Sequence, residues 1–459
     1  MKKENSNYAF IAIGFMAAAA TVLATGGNNL YWNTIALCGL MVFLWLTEAL
    51  PIYVTALFPF VFGMPLGIID NSQLAASYGN TNVYLFMGGF MLALALEKHN
   101  VHKQIAKRII SIVGNSKARL LLGFILSTGL LSMWISNTAT ALMMLPMGLA
   151  IITSMPVVER TSKFSLFLLL SIAYSASVGG MATLVGSPPN LLMASIINEA
   201  PYNVEIDFFQ WMKIGLPLSI IMLFAVYAVF YLFMGKERHE RIAMQSLQIK
   251  PWTITQMRVL TVFSIVVVLW SFKIPITQFT GVNYDDYVPA ILGSLLLFLV
   301  PTHKENMLLT WGDTKNLPWG ILLLFGGGLA LAEMLRANGV ITQLSDLFVA
   351  YKEVSALVIL IVIVSVAIFG TELMSNLALI NVFIPVIAQF ALQSDYSIIQ
   401  LCVPVTLAAS CAFMLPVGTP PNAIVFSSGA IHMKDMAKYG FVLNLVAVVI
   451  IVLAASLFF

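Results

Sequence analysis

One short polar phrase occurs in each half of an otherwise apolar chain. Ser136-Asn137-Thr138 is answered by Ser375-Asn376-Leu377, and Gly186-Ser187-Pro188-Pro189-Asn190 by Gly418-Thr419-Pro420-Pro421-Asn422. Neither Pro-Pro phrase can be continuous helix, because each proline removes an N–H and clashes with the preceding turn. The residue before it is also pushed out of the helical region. An offset of 239 carries Ser136 to Ser375, Ser132 to Thr371, Pro146 to Pro385, Phe86 to Phe325 and Gly88-Gly89 to Gly327-Gly328. The Pro-Pro phrases lie 232 apart, since the second connection is shorter. Two copies could arise by chance from low-complexity apolar sequence, but the odds fall sharply when Gly, Pro, Ser and Asn all match in one order. The chain is therefore a duplicated unit of apolar helices, broken at four polar points.

Composition sets the class. Hydrophobic residues make up 60% and charged residues 9%, against about 25% charged in soluble domains. Several separate runs reach the roughly 20 apolar residues that cross a bilayer, so the chain reads as an all-α polytopic membrane protein. The net charge of +3 comes without a basic patch interleaved with aromatics, so no nucleic-acid partner is indicated. Cys38, Cys402 and Cys411 fall in apolar runs with no CxxC pair, which argues against a disulfide framework or a zinc site. The run from about 8 to 24 lacks a small-residue cleavage pattern and reads as a first transmembrane helix rather than a cleaved signal.

Apolar spans are expected at 8–25, 31–50, 52–69, 82–97, 163–199, 209–235, 258–273, 287–301, 319–337, 397–430 and 438–458, about eleven in all. The segments 118–150 and 354–392 are each interrupted by Ser-Asn and suit two re-entrant helical hairpins. A turn at membrane depth is tolerated only where protein or a water-filled cavity covers it. Basic residues cluster after the fourth span (Lys98, Lys103, Lys107, Arg108, Lys117, Arg119) and after the sixth (Lys236, Arg238, Arg241, Lys250, Arg258). The positive-inside rule places the N-terminus in the cytoplasm and the C-terminus outside. Short amphipathic surface helices are expected at 98–113 and 338–352. The polar stretch 236–257 is expected as the linker between the repeats. Five spans separate the hairpins, so the second copy enters from the opposite side. Inverted repeats of this kind place a binding site near the midplane, at the repeat interface.

The tips carry the chemistry. Ser136 and Asn137 donate and accept hydrogen bonds, and at membrane depth they need partners. A lone Ser-Asn would be ordinary bonding between helices; a duplicated one at two tips reads as a ligand site. Ser132 and Thr371 each lie four residues before a tip serine, on the same helical face, and add a hydroxyl to the same point. Backbone carbonyls around Gly186 and Gly418, freed by the prolines, join an oxygen set that suits a hard cation such as sodium. Alternatively, either hydroxyl could bond the preceding turn of its own helix. The half-helices that resume after the prolines point positive N-termini into the gap, where an anion fits. Two similar tips without Lys, Arg or His suit a ligand with two similar acidic ends, such as a dicarboxylate.

All five histidines fall at span ends or in loops, and no His/Asp/Glu cluster lies within a span. Intramembrane metal or acid–base catalysis has little to work with, so the chain is not expected to be an enzyme and no cofactor is indicated. Glu48, Glu97, Glu333 and Glu372 are the carboxylates set in apolar sequence. Glu372, beside Thr371, is a functional candidate by its depth, either paired with a polar neighbour or taking part in proton coupling.

At these motifs the chain resembles the divalent anion/sodium symporter family, the INDY-type dicarboxylate transporters. The resemblance runs nearly the whole length and includes Trp45-Leu46-Thr47-Glu48-Ala49-Leu50-Pro51, the Ser-Asn-Thr tip and both Pro-Pro-Asn phrases. It implies a homodimer in the cytoplasmic membrane, working by an elevator mechanism. Scaffold parts would be 1–117 and 258–353, and transport parts 118–235 and 354–459. It implies substrate contacts from Ser136, Asn137, Thr138, Ser375 and Asn376, with Ser187, Pro188, Thr419 and Pro420 completing the pocket. It implies one sodium site from Ser132, Ser136, Asn137 and the Gly186 carbonyl, and a second from Thr371, Asn376 and the Gly418 carbonyl. Leu377 stands where the family's second tip carries threonine, so a longer diacid such as 2-oxoglutarate could be preferred over a C4 acid. The family holds both sodium symporters and sodium-independent exchangers, and a sulfate or citrate transporter shares the fold. Coupling mode is left open by the sequence, as is a channel, which would pass current without substrate.

Overall fold

The computed structural model describes residues 2–199, 201–242, 249–303, 306–343, 354–394 and 396–458. Among them every regular element is a helix, and ten helices are long and apolar enough to cross a membrane. Ile52–Gly63, Tyr287–Leu299, Ala356–Thr371 and Ile398–Ala409 are shorter apolar helices beside them. The chain is a multi-pass membrane protein.

Both hairpins form where Ser-Asn interrupts the apolar sequence. The first pairs Lys117–Ser132 with Asn137–Ser154, and the second pairs Ala356–Thr371 with Asn376–Gln393. Both tips turn just before the asparagine, with Ser136 and Ser375 as extended N-caps. Both Pro-Pro phrases break a helix. Lys163–Gly180 stops and Pro188–Asn198 resumes; Ile398–Ala409 stops and Pro420–Ser427 resumes. Pro188 and Pro420 occupy the first helical position, where the missing N–H costs nothing.

Packing exchanges parts between the repeats. Each hairpin packs on the first half of its own broken helix, while each resumed half-helix packs on the other repeat's hairpin. Pro188–Asn198 lies against Asn376–Gln393, and Pro420–Ser427 against Asn137–Ser154. Met433–Phe458 packs on Ala356–Thr371 and on Phe208–Met234. The helix at Thr81–Lys98 instead packs on Tyr287–Leu299, and Lys2–Ala24 on Leu30–Thr47. Small residues allow the closest approaches. A Cβ on Gly88 would lie 2.7 Å from the backbone of Ala290, the small-residue contact favoured between membrane helices.

Two segments depart from the sequence reading. The expected span at 52–69 is a shorter apolar helix, Ile52–Gly63, that opens as Ile52–Thr55 and ends in a π-helical turn at Pro59–Gly63. Pro51, Pro59 and Pro65 punctuate it, and each removes a helical donor. The expected loop at 70–81 contains the helix Asn71–Tyr78, started by a reciprocal cap between Asp70 and Gln73. The polar stretch after Met234 is tied down at its start. Lys117 Nζ, almost fully buried, bonds Glu159 at 2.9 Å and Glu240 at 2.6 Å, and Ile242 N–H donates to the Asn115 carbonyl. The amphipathic helix expected at 98–113 forms as Val101–Val113, burying Val101, His102, Ala106 and Ile110. The companion expected at 338–352 falls largely outside the described residues.

Candidate binding site at the helix breaks

In the first repeat the tip hydroxyl and tip amide do different jobs. Ser136 Oγ accepts the Ala139 N–H at 3.3 Å, capping the helix that Asn137 begins. Ser132 Oγ, fully buried, donates to Asn137 Oδ1 at 2.7 Å. Its proton goes to the tip rather than to the preceding turn of its own helix. The broken helix closes round this pair. Thr183 Oγ1 donates to the Met133 carbonyl at 2.6 Å and accepts the Gly186 N–H at 2.9 Å. Asn190 Nδ2 donates to the carbonyls of Gly180 (2.9 Å) and Thr183 (2.8 Å). A Cβ on Gly180 would lie 2.5 Å from Asn137 Oδ1, so the amide rests flush on the helix end.

The second repeat repeats the pattern with two changes. Thr371 Oγ1 has two acceptors for its single proton, Asn376 Oδ1 at 2.6 Å and the Ala409 carbonyl at 2.9 Å. Asn422 Nδ2 donates to the carbonyls of Ala412 (2.9 Å) and Leu415 (3.0 Å). Thr419 Oγ1 accepts the Asn422 N–H at 3.4 Å, whereas Ser375 makes no side-chain cap. The hydroxyl link of Thr183 is missing here, and the Glu372 carboxylate takes its place.

Each break thus gathers a hydroxyl, an amide oxygen and backbone carbonyls, an all-oxygen set of the kind hard cations take. Such carbonyls at broken helices are where transporters hold Na⁺. Gly186 and Gly418 are buried beside these sets: a Cβ on Gly186 would meet the carbonyls of Gly180 and Met133 at 2.8 and 2.9 Å. Asn137, Asn376, Pro188 and Pro420 are all first helical residues, so four helix N-termini open at the breaks and favour negative charge. Thr138 is half-buried and Ser187 and Thr419 are buried, as is Leu377 within the apolar core.

Three functional candidates escaped the sequence reading. Asn190 and Asn422 close the prolyl phrases and bind the carbonyls that the breaks release; their repetition in the motif was the available signal. Their Oδ1 atoms are buried without a protein partner at matched positions. Thr183 had no signal, because its partner Met133 is 50 residues away.

Residues 3–459 match the family described as the sodium:sulfate symporter transmembrane region. The chain belongs to that family. It is 37% identical to the sodium-dependent dicarboxylate transporter SdcS of Staphylococcus saprophyticus, across 98% of this chain and 92% of that protein. It is 36% identical to SdcS of Staphylococcus aureus strain USA300, across 96% of this chain and 89% of that protein. Among solved structures, the YdaH transporter of Alcanivorax borkumensis superposes with a TM-score of 0.58 over 94% of this chain and 97% of its own, at 10% identity. That last likeness concerns the fold alone.

Proposed function

We propose that this symporter-family protein carries dicarboxylates of the succinate, fumarate, malate and 2-oxoglutarate class across the cytoplasmic membrane, coupled to sodium. The observation that carries the reading is the matched pair of hydroxyl–asparagine contacts, Ser132–Asn137 and Thr371–Asn376, at two breaks that interlock across the repeats. The names of the SdcS relatives support the substrate class and the ion.

Sodium is cargo in this scheme. One ion is held by Ser132, Ser136, Asn137 and the Gly186 carbonyl, the other by Thr371, Asn376 and the Gly418 carbonyl. Their charge offsets a diacid that has no lysine or arginine to meet it at the tips. Ser136, Asn137, Thr138, Ser375 and Asn376 contact the two carboxylates, and Ser187, Pro188, Leu377, Thr419 and Pro420 complete the pocket. Residues 118–235 and 354–459 move as the transport part against a scaffold of 1–117 and 258–353, in a homodimer embedded in lipid with its N-terminus in the cytoplasm. Without cation the oxygen sets repel the diacid, so an unaccompanied substrate does not cross.

Labelled succinate uptake into proteoliposomes, with and without a sodium gradient and with and without internal dicarboxylate, tests the proposal. Concentrative uptake that requires the gradient and no internal diacid is expected. Uptake that needs only internal diacid would establish exchange and end the symport reading. Leu377→Thr restores a hydroxyl at the second tip and is expected to raise succinate affinity over that for 2-oxoglutarate by about fivefold, the worth of one hydrogen bond. Competition of the two acids for labelled uptake reads it.

A further inference from the structure

The second repeat carries a charge where the first carries none. By the 239 offset Glu372 stands where Met133 stands, and by the 232 offset Leu415 stands where Thr183 stands. In the first repeat a neutral hydroxyl ties the hairpin to the broken helix, from Thr183 Oγ1 to the Met133 carbonyl. In the second, Glu372 Oε1 accepts the N–H groups of Phe413 (2.7 Å) and Met414 (2.8 Å) and Asn444 Nδ2 (2.8 Å), and Oε2 accepts the Leu415 N–H (3.0 Å). All four partners donate, which is what an ionised carboxylate, an acceptor only, receives.

Glu372 is 3% exposed. Among the described residues no Lys, Arg or His pairs with it. A buried carboxylate without a cation is costly, and at membrane depth it marks function. Its chain neighbour Thr371 supplies the hydroxyl of the second oxygen set. A Cβ on Gly418 would lie 3.1 Å from Glu372 Oε2, so the carboxylate lies against the backbone whose carbonyl completes that set. The missing counter-ion and the oxygen set face the same place.

We infer that Glu372 is the built-in countercharge of the second cation site, a positioning residue that fixes the turn at 413–415 and makes this site bind Na⁺ more tightly than the first. This deepens the sodium-coupled reading above and rests on it. The two breaks, alike in backbone, are unequal in charge, and the second fills at lower sodium.

The test uses the purified full-length protein, in detergent for sodium-induced thermal stabilisation and in proteoliposomes for succinate uptake. Glu372→Gln is expected to raise the half-saturating sodium concentration about tenfold or more, with the succinate KM at saturating sodium within about twofold of wild type. Ser132→Ala, which strips a ligand from the first site only, is expected to keep most of the sodium-induced stabilisation. A Glu372→Gln protein with wild-type sodium dependence overturns the inference, as does one in which only the succinate KM rises. Should Glu372→Gln not be recovered folded, Ser132→Ala decides alone. Retained stabilisation there upholds the tighter second site, and complete loss overturns it. A wild type without any sodium response sinks the sodium-coupled reading itself, whatever the variants do.

Discussion

Asn137→Ala and Asn376→Ala each lower sodium-driven succinate uptake by about a hundredfold or more while the protein still folds and inserts. The magnitude follows from what one amide does. Among the described residues Asn137 Oδ1 takes the only hydrogen bond that the buried Ser132 hydroxyl makes, and Asn137 is the first residue of a helix that opens into the break. Truncation strands a buried hydroxyl, at about 1–3 kcal/mol, and deletes a ligand contact of about 1–3 kcal/mol more. Together these reach about two to four powers of ten in rate or affinity. Asn376 should be slightly more forgiving for the fold, since Thr371 Oγ1 retains the Ala409 carbonyl as partner. The measurement is uptake per folded transporter, with folding checked by size-exclusion profile and melting temperature. Either variant transporting at more than a tenth of the wild-type rate would remove the tips from the binding site.

The breaks were legible in the sequence because their causes are local. Proline cannot be hidden inside a helix, and a repeated Ser-Asn in apolar sequence has few other uses. The hydroxyl–asparagine pairs were half legible. Spacing put Ser132 and Thr371 on the correct face, but the partner proved to be the tip amide. The segment at 52–69 came out shorter than expected for an instructive reason: its apolar content outweighed three prolines that were in plain view. The helix at Asn71–Tyr78 was announced by Asp70 three residues before Gln73, a cap signal that carries little weight without an apolar stripe. Glu372 was legible as a candidate by its depth, but its partners were not. Its partners lie 41 to 72 residues onward, and nothing local in a sequence records which distant N–H groups a carboxylate will meet.

Gly179→Ala and Gly180→Ala, one residue apart, are expected to fail in different ways. A Cβ on Gly179 would lie 2.3 Å from the backbone carbonyl oxygen of Gly129 and 2.8 Å from its Cα. Neither atom can rotate away, so Lys163–Gly180 and Lys117–Ser132 must separate along a contact that small residues make possible. Overpacking against backbone costs on the order of 3 kcal/mol, and Gly179→Ala should show a marked fall in melting temperature and poor recovery. A Cβ on Gly180 would instead meet a side chain, Asn137 Oδ1 at 2.5 Å and Nδ2 at 3.0 Å. That amide can swing aside without parting two backbones, but doing so breaks its contact with Ser132 and moves it from the tip. Gly180→Ala should therefore melt above Gly179→Ala, paying only for the stranded hydroxyl, while losing sodium-driven uptake about as far as Asn137→Ala, because it removes about the same hydrogen bonds. The double variant Gly180→Ala/Asn137→Ala should be no worse than Asn137→Ala alone, since the methyl then has nothing to displace. Additive losses in that double variant would show that Gly180 acts through something other than the asparagine.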